Sequence, residues 1–170
     1  MLSWYRGDTL ISKNYDTIEF EKRTESIYRI EKITPKDNKA FYKCEAINQA
    51  MDQPISTNTT LNVLFGPEKL NMTGVFEVEV GKTISSICST GPANPAPKLI
   101  FNFGGIDYEP SSLASTPTAN DVAVGAFVVN GAFSHIVNKE HNNKELKCIV
   151  ENKPANIQQI VTNIIKVLCN

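Results

Sequence analysis

Tyr42-Lys43-Cys44-Glu45-Ala46-Ile47-Asn48 and, with its cysteine 104 residues further on, Leu146-Lys147-Cys148 decide how this chain is read. Each is a strand that reaches a cysteine two residues after a large side chain. Each also lies downstream of an aromatic in a short apolar run: Leu2-Ser3-Trp4-Tyr5 in the first half, Leu99-Ile100-Phe101 in the second. The same shift superimposes Val63 on Val167 and Leu64 on Leu168, so the signature is a repeat of one supersecondary pattern. The second copy is whole and carries a further cysteine, Cys88. The first begins partway through, with nothing upstream of Trp4 to supply earlier strands. The expectation is two tandem domains, the first incomplete.

A chain of 170 residues accommodates two small domains. Hydrophobic residues make up 41% and charged residues 21%, a globular composition outside the disordered range. The net charge is −1 and the sequence pI about 6.1. Nucleic-acid binding needs a concentrated basic footprint to displace counterions, and none is present. A polybasic membrane patch is also missing. The expected partner is another protein or a glycan.

Strand signals recur along the whole length. Tyr15 to Phe20 and Ile27 to Ile33 are rich in β-branched and aromatic residues, and Thr60 to Phe65 reads as a closing strand. Gly66-Pro67 marks the boundary, giving domains over 1–65 and 66–170. Seven strands are expected in the second: Val75 to Val80, Ile84 to Cys88, Leu99 to Phe103, Val122 to Val129, Ala132 to Val137, Glu145 to Val150 and Ile160 to Leu168. Short strands with turns between them, and no helical period, make the chain all-β.

Four cysteines, Cys44, Cys88, Cys148 and Cys169, are spaced too widely for a zinc site. Asn58-Thr59-Thr60 and Asn71-Met72-Thr73 are acceptor sequences for N-glycosylation, which places the chain in a secretory context. The opening residues have no apolar core of a signal peptide, and Ile160 to Cys169 is too short and polar to span a bilayer. The expectation is therefore a piece of a longer chain, truncated at both ends.

Trp4-Tyr5-Arg6-Gly7-Asp8, the Tyr42 to Asn48 run, Leu61 to Pro67, and Asn94-Pro95-Ala96-Pro97 after Cys88 resemble the tandem domains of immunoglobulin-superfamily adhesion receptors, most closely the nephrin-like and sidestep-like groups. The resemblance implies two immunoglobulin-like β-sandwiches, the first holding strands C to G without A and B. It implies a Cys88–Cys148 disulfide across the second sandwich, with Cys44 and Cys169 outside that pairing. It also implies a single-pass surface parent, with these domains on the extracellular side of the plasma membrane. Its partner would be a related immunoglobulin-superfamily receptor on a neighbouring cell, bound homophilically or heterophilically. A soluble, secreted binder of immune or ligand-trapping type is the alternative.

Catalysis, metal binding and cofactors are not expected. His135 and His141 fall in a strand and a turn with no nucleophile oriented nearby, and no Asp-rich calcium loop occurs. Arg6-Gly7-Asp8 is the tripeptide integrins recognise, yet Gly-Asp is also ordinary turn chemistry, and the turn is the reading adopted. If Trp4, Tyr42 and Cys44 point inward, alternation turns Tyr5, Lys43 and Glu45 outward. With Arg6, these form the expected protein-binding face, because Tyr and Arg are enriched at binding hot spots.

Overall fold

The chain is described from a computed structural model covering all residues except 14–15, 19–22, 119–123 and 169–170, with only the backbone of 16–18 and 23. It divides into two compact units, Met1–Val63 and Leu64–Asn170. The expected division after residue 65 lies two residues too late. Phe65 exchanges backbone hydrogen bonds with Asn94 at 3.0 and 2.9 Å, and its carbonyl also accepts from the Asn152 amide, so it belongs to the second unit.

Unit 1 contains β1 (Leu2–Arg6), β2 (Thr9–Ser12), β3 (Asp16–Ile18), β4 (Arg23–Glu25), β5 (Phe41–Ala46) and β6 (Ile55–Thr60). One antiparallel sheet runs β2-β1-β5-β6, and β3 pairs with β4. Trp4 stands opposite Cys44, which fixes the alternation of both central strands. Two sequence expectations fail. Ile27 to Ile33 forms no strand: it is apolar in composition, but Ile27 and Ile33 are exposed and make no ladder. The closing strand is Ile55–Thr60, because beyond Thr60 the backbone turns to bond a corner: Leu61 N–H to Ala40 O at 2.9 Å and Val63 N–H to Asn38 Oδ1 at 2.9 Å.

Unit 2 is a full sandwich of β7 (Leu70–Val75), β8 (Glu77–Glu79), β9 (Thr83–Thr90), β10 (Lys98–Phe103), β11 (Ile106–Tyr108), β12 (Ser112–Pro117), β13 (Phe127–Ile136), β14 (Glu145–Asn152), β15 (Ile157–Ile164) and β16 (Lys166–Leu168). The sheets are β12-β13-β9-β7 and β11-β10-β14-β15, with β16 and β8 pairing in parallel at one edge. The side chains alternate strictly. Leu99, Phe101 and Phe103 on β10, and Leu146, Cys148 and Val150 on β14, are buried against Ile84, Cys88, Val129 and Phe133 of the facing sheet. The Cys88–Cys148 disulfide joins the sheets at a Cα separation of 6.4 Å.

Three expectations change in this unit. The two strands expected over Val122 to Val129 and Ala132 to Val137 are replaced, among the described residues, by β13, which runs unbroken over Phe127–Ile136; residues 122–123 lie outside the described ones. Gly131, which reads as a break, lies mid-strand because a Cβ there would sit 2.8 Å from a Leu99 methyl. The strand that pairs with β13 at its outer edge is β12, whose residues are exposed throughout and carry no apolar alternation. Likewise the first strand begins at Leu70 rather than Val75, and the last is split around the buried Ile165.

The repeat extends to individual hydrogen bonds. The Asn38 and Asn142 side chains each accept from a backbone N–H further along, Val63 at 2.9 Å and Val167 at 3.0 Å. Lys39 and Asn143 share a positive φ, 64° and 61°, and donate to Leu61 O and Ile165 O. Phe101 faces Cys148 across the ladder as Trp4 faces Cys44. Both units are thus built on one corner, and the all-β architecture is two tandem immunoglobulin-like domains.

Candidate recognition surface

The outward face of the unit 1 sheet is built around one cross-strand row. Tyr5 on β1 stands opposite Lys43 on β5, which in turn stands opposite Asn58 on β6. Lys43 Nζ lies 4.7 Å from the centre of the Tyr5 ring and 2.8 Å from Glu45 Oε1. A hydrogen bond from Lys43, followed in weight by one from Tyr5, lowers the Glu45 carboxyl below its ordinary range; the same pairing with Glu45 raises Lys43. Tyr5, Lys43 and Glu45 therefore hold one another in place. An aromatic platform flanked by both signs of charge and already ordered loses little freedom on binding.

Arg6 is a correction to the expected face. By alternation it falls on the opposite side from Tyr5, opposite Tyr42. Its guanidinium lies 5.9 Å from the Tyr42 ring centre and bonds Asp37 Oδ1 at 2.8 Å. The Thr34 backbone and hydroxyl, then Arg6, hold the Asp37 carboxyl below the usual carboxylate range. The Arg6-Gly7-Asp8 stretch forms the β1–β2 turn, with Gly7 at φ 58° and its N–H on Phe41 O. With its arginine engaged by Asp37, the tripeptide is accounted for as a turn.

On the inward side, the Trp4 indole donates to Ser26 Oγ at 3.0 Å, and Tyr28 lies 6.1 Å from the Trp4 ring and 6.2 Å from that of Tyr42. Cys44 is a free, partly buried thiol whose pKa is pushed up chiefly by desolvation. Cys169 lies outside the described residues. Of the two glycosylation acceptors, Asn58 is exposed on β6 in the same row as Tyr5 and Lys43. Asn71 is exposed on β7 of unit 2. The sequence places Asn58 near a strand end; the register that makes it a neighbour of Lys43 is set by the ladder and is not visible in the tripeptide.

Sequence reasoning also separated two histidines that the fold brings together. The His135 and His141 rings lie 5.2 Å apart among Phe103, Tyr108 and Phe133. Burial, then the neighbouring His141, lowers the His135 pKa. The signal that could have shown this is the repeat itself, which aligns His141 with Asp37 of the first corner. Among the described residues no three His, Cys, Asp or Glu side chains gather to hold a metal, and no helix is long and apolar enough to cross a membrane.

No protein-family model matches the chain. In sequence it is similar to receptor-type tyrosine-protein phosphatase F of Mus musculus, 24% identical over 171 residues, covering 92% of this chain. The Bos taurus protein of the same name is 23% identical over the same share. The chain spans 8% of the length of each. Its fold is similar to that in the crystal structure of Rst D1-D2, with a TM-score of 0.74 and 19% identity over 98% of this chain and 85% of the other. These likenesses are to part of a receptor-type protein and to a tandem two-domain fold.

Proposed function

We propose that this chain is an extracellular recognition module of a cell-surface adhesion receptor of the nephrin-like or sidestep-like kind, and not an enzyme. It binds another immunoglobulin-type receptor on a neighbouring cell through the Tyr5–Lys43–Glu45 face. The observation that carries the reading is that face itself: an aromatic packed beside a Lys43–Glu45 ion pair on one side of the sheet, in a tandem immunoglobulin-like pair similar in sequence to part of a receptor. The disulfide and the two N-glycosylation acceptors support an oxidising, extracellular setting, and the likeness to part of a receptor-type protein supports a membrane-anchored parent. The phosphatase activity in the relatives' name belongs to proteins of which this chain matches only 8%, and it is not carried over.

The register adds a constraint on that face. A glycan on Asn58 would stand one strand from Lys43 and two from Tyr5, roughly 5 and 10 Å away. The usable contact is then the β1 side of the sheet, and glycosylation tunes access to it. The test is to probe an array of cell-surface ectodomains, this chain included, with the secreted chain carrying the native face or Lys43→Glu. Binding to an immunoglobulin-type ectodomain that Lys43→Glu abolishes supports the proposal. Binding that ignores the substitution, or none at all, refutes it.

A further inference from the structure

Unit 2 carries a second outward face, on β10, β14 and β15, and its chemistry is self-complementary. The residues of β14 that alternate with the buried Leu146, Cys148 and Val150 are Glu145, Lys147, Ile149 and Glu151, with exposed Lys153 following just beyond the strand. Their signs run minus, plus, apolar, minus, plus. That order is antisymmetric about Ile149. Ile149 is also the centre of an isoleucine row, with Ile100 on one side and Ile160, 53% exposed, on the other. Lys147 bonds Glu145 at 2.7 Å and Gln158 bonds Glu151 at 3.1 Å, so these side chains are spread on the same face.

We propose that this face is a two-fold self-association surface and that its occupant is a second copy of this chain. A two-fold axis along the isoleucine row stacks Ile100, Ile149 and Ile160 on their own counterparts. The same axis reverses the strand direction. It sets Lys147 over Glu151 of the second copy, and Glu145 towards Lys153, with each pair made twice. On the adjacent strand Lys98, which also pairs with Glu109 at 3.3 Å, meets Asn102, so no like charges of β10 and β14 are opposed. An axis along β14 would instead put Lys147 on Lys147 and Glu151 on Glu151, which costs energy. Charge therefore selects one of the two in-plane axes, and isologous contact is the commonest oligomer geometry.

The face spans about four strands at ~4.8 Å and about eight residues at ~3.4 Å, so roughly 500 Å² in projection. This is small among specific interfaces, and the dimer is weak and salt-sensitive. The acceptor Asn71 lies on β7 in the other sheet, so a glycan there leaves the surface free.

Sedimentation velocity of the intact secreted chain, from micromolar to near-millimolar concentration, tests this at low and high salt. The wild type should dimerise, more weakly at high salt. K147E sets Glu against Glu151 and E151K sets Lys against Lys147; each should weaken dimerisation by about tenfold or more. The double variant K147E/E151K restores the alternation and should recover it, and a mixture of the two single variants should associate where neither does alone. Unchanged thermal melts of the variants establish that they fold. A wild type that stays monomeric throughout, single variants that dimerise normally, or a double variant that does not recover each overturn the proposal.

Discussion

Asp37 and His141 do the same job in the two units. Asp37 Oδ2 accepts the N–H of Thr34 at 2.8 Å, and His141 Nδ1 accepts the N–H of Asn138 at 3.0 Å, each closing the turn that leads into the cysteine strand. An imidazole protonated on both nitrogens cannot accept that bond, and it also charges the site beside His135. The first corner is thus held by a carboxylate with an arginine partner, and the second by a neutral imidazole nitrogen.

Unit 2 should therefore lose stability in mild acid. His135 has its folded pKa lowered by burial and by His141. A lowered folded value means the unfolded chain binds the proton more readily. The contribution is present above about pH 6.5 and is lost as pH falls through the depressed folded value. Calorimetry of residues 64–170 should show the melting temperature falling below pH 6.5. His135→Phe should flatten that fall. A pH-independent wild type between 7 and 5 would contradict it.

Unit 1 follows carboxylate behaviour. Asp37 is held low by Thr34 and Arg6, so its contribution persists above about pH 4 and is lost below it. Unit 1 should also be the weaker unit: among the described residues, Tyr42 is the one buried hydrophobic side chain within 1–63. Expressed separately, residues 64–170 should melt in one cooperative transition, and residues 1–63 should not. A sharp melt of 1–63 would show that its sheet and β3–β4 hairpin suffice.

The disulfide and the free thiol should behave oppositely. Cys88 and Cys148 close a loop of 60 residues, worth about 4 kcal/mol on the chain-entropy scale. Cys88→Ser with Cys148→Ser should lower unit 2 stability by about that amount in denaturant titration. Cys44→Ser should leave unit 2 unchanged. With its pKa raised, Cys44 should label slowly in the folded chain and quickly in denaturant, read by peptide mass.

Two small residues in the second sandwich set its packing. Ser86 Oγ is buried with no hydrogen-bond partner, so Ser86→Ala should stabilise unit 2 by about 1 kcal/mol, or about 4–8 °C. Gly131→Ala drives a methyl into Leu99 and should cost about 1–3 kcal/mol. Thermal melts of the two variants should move in opposite directions.

The second sandwich was legible where burial imposes alternation: Leu99, Phe101, Leu146 and Cys148 repeat with period two because one face of each strand is dry. Strand β12 was not, since both its faces are exposed and its place is set by pairing with β13. Gly131 carries opposite meanings in a turn and in a close packing contact, and only Leu99 tells them apart. At the candidate site, alternation placed Tyr5, Lys43 and Glu45 on one face, and the same rule removes Arg6, which hot-spot enrichment of arginine had brought in. Asn58 could not be placed because register is a property of the pair of strands.

The recognition claim is tested most directly by one binding measurement made in two directions. The secreted chain, displayed on a biosensor against an immunoglobulin-type ectodomain found by array, is compared with Tyr5→Ala and with Asn58→Gln. Tyr5→Ala should weaken binding by about thirtyfold, as for a truncated hot spot, while Asn58→Gln, by removing the glycan beside Lys43, should strengthen it. Unchanged binding by a correctly folded Tyr5→Ala would contradict the account and move recognition off this face.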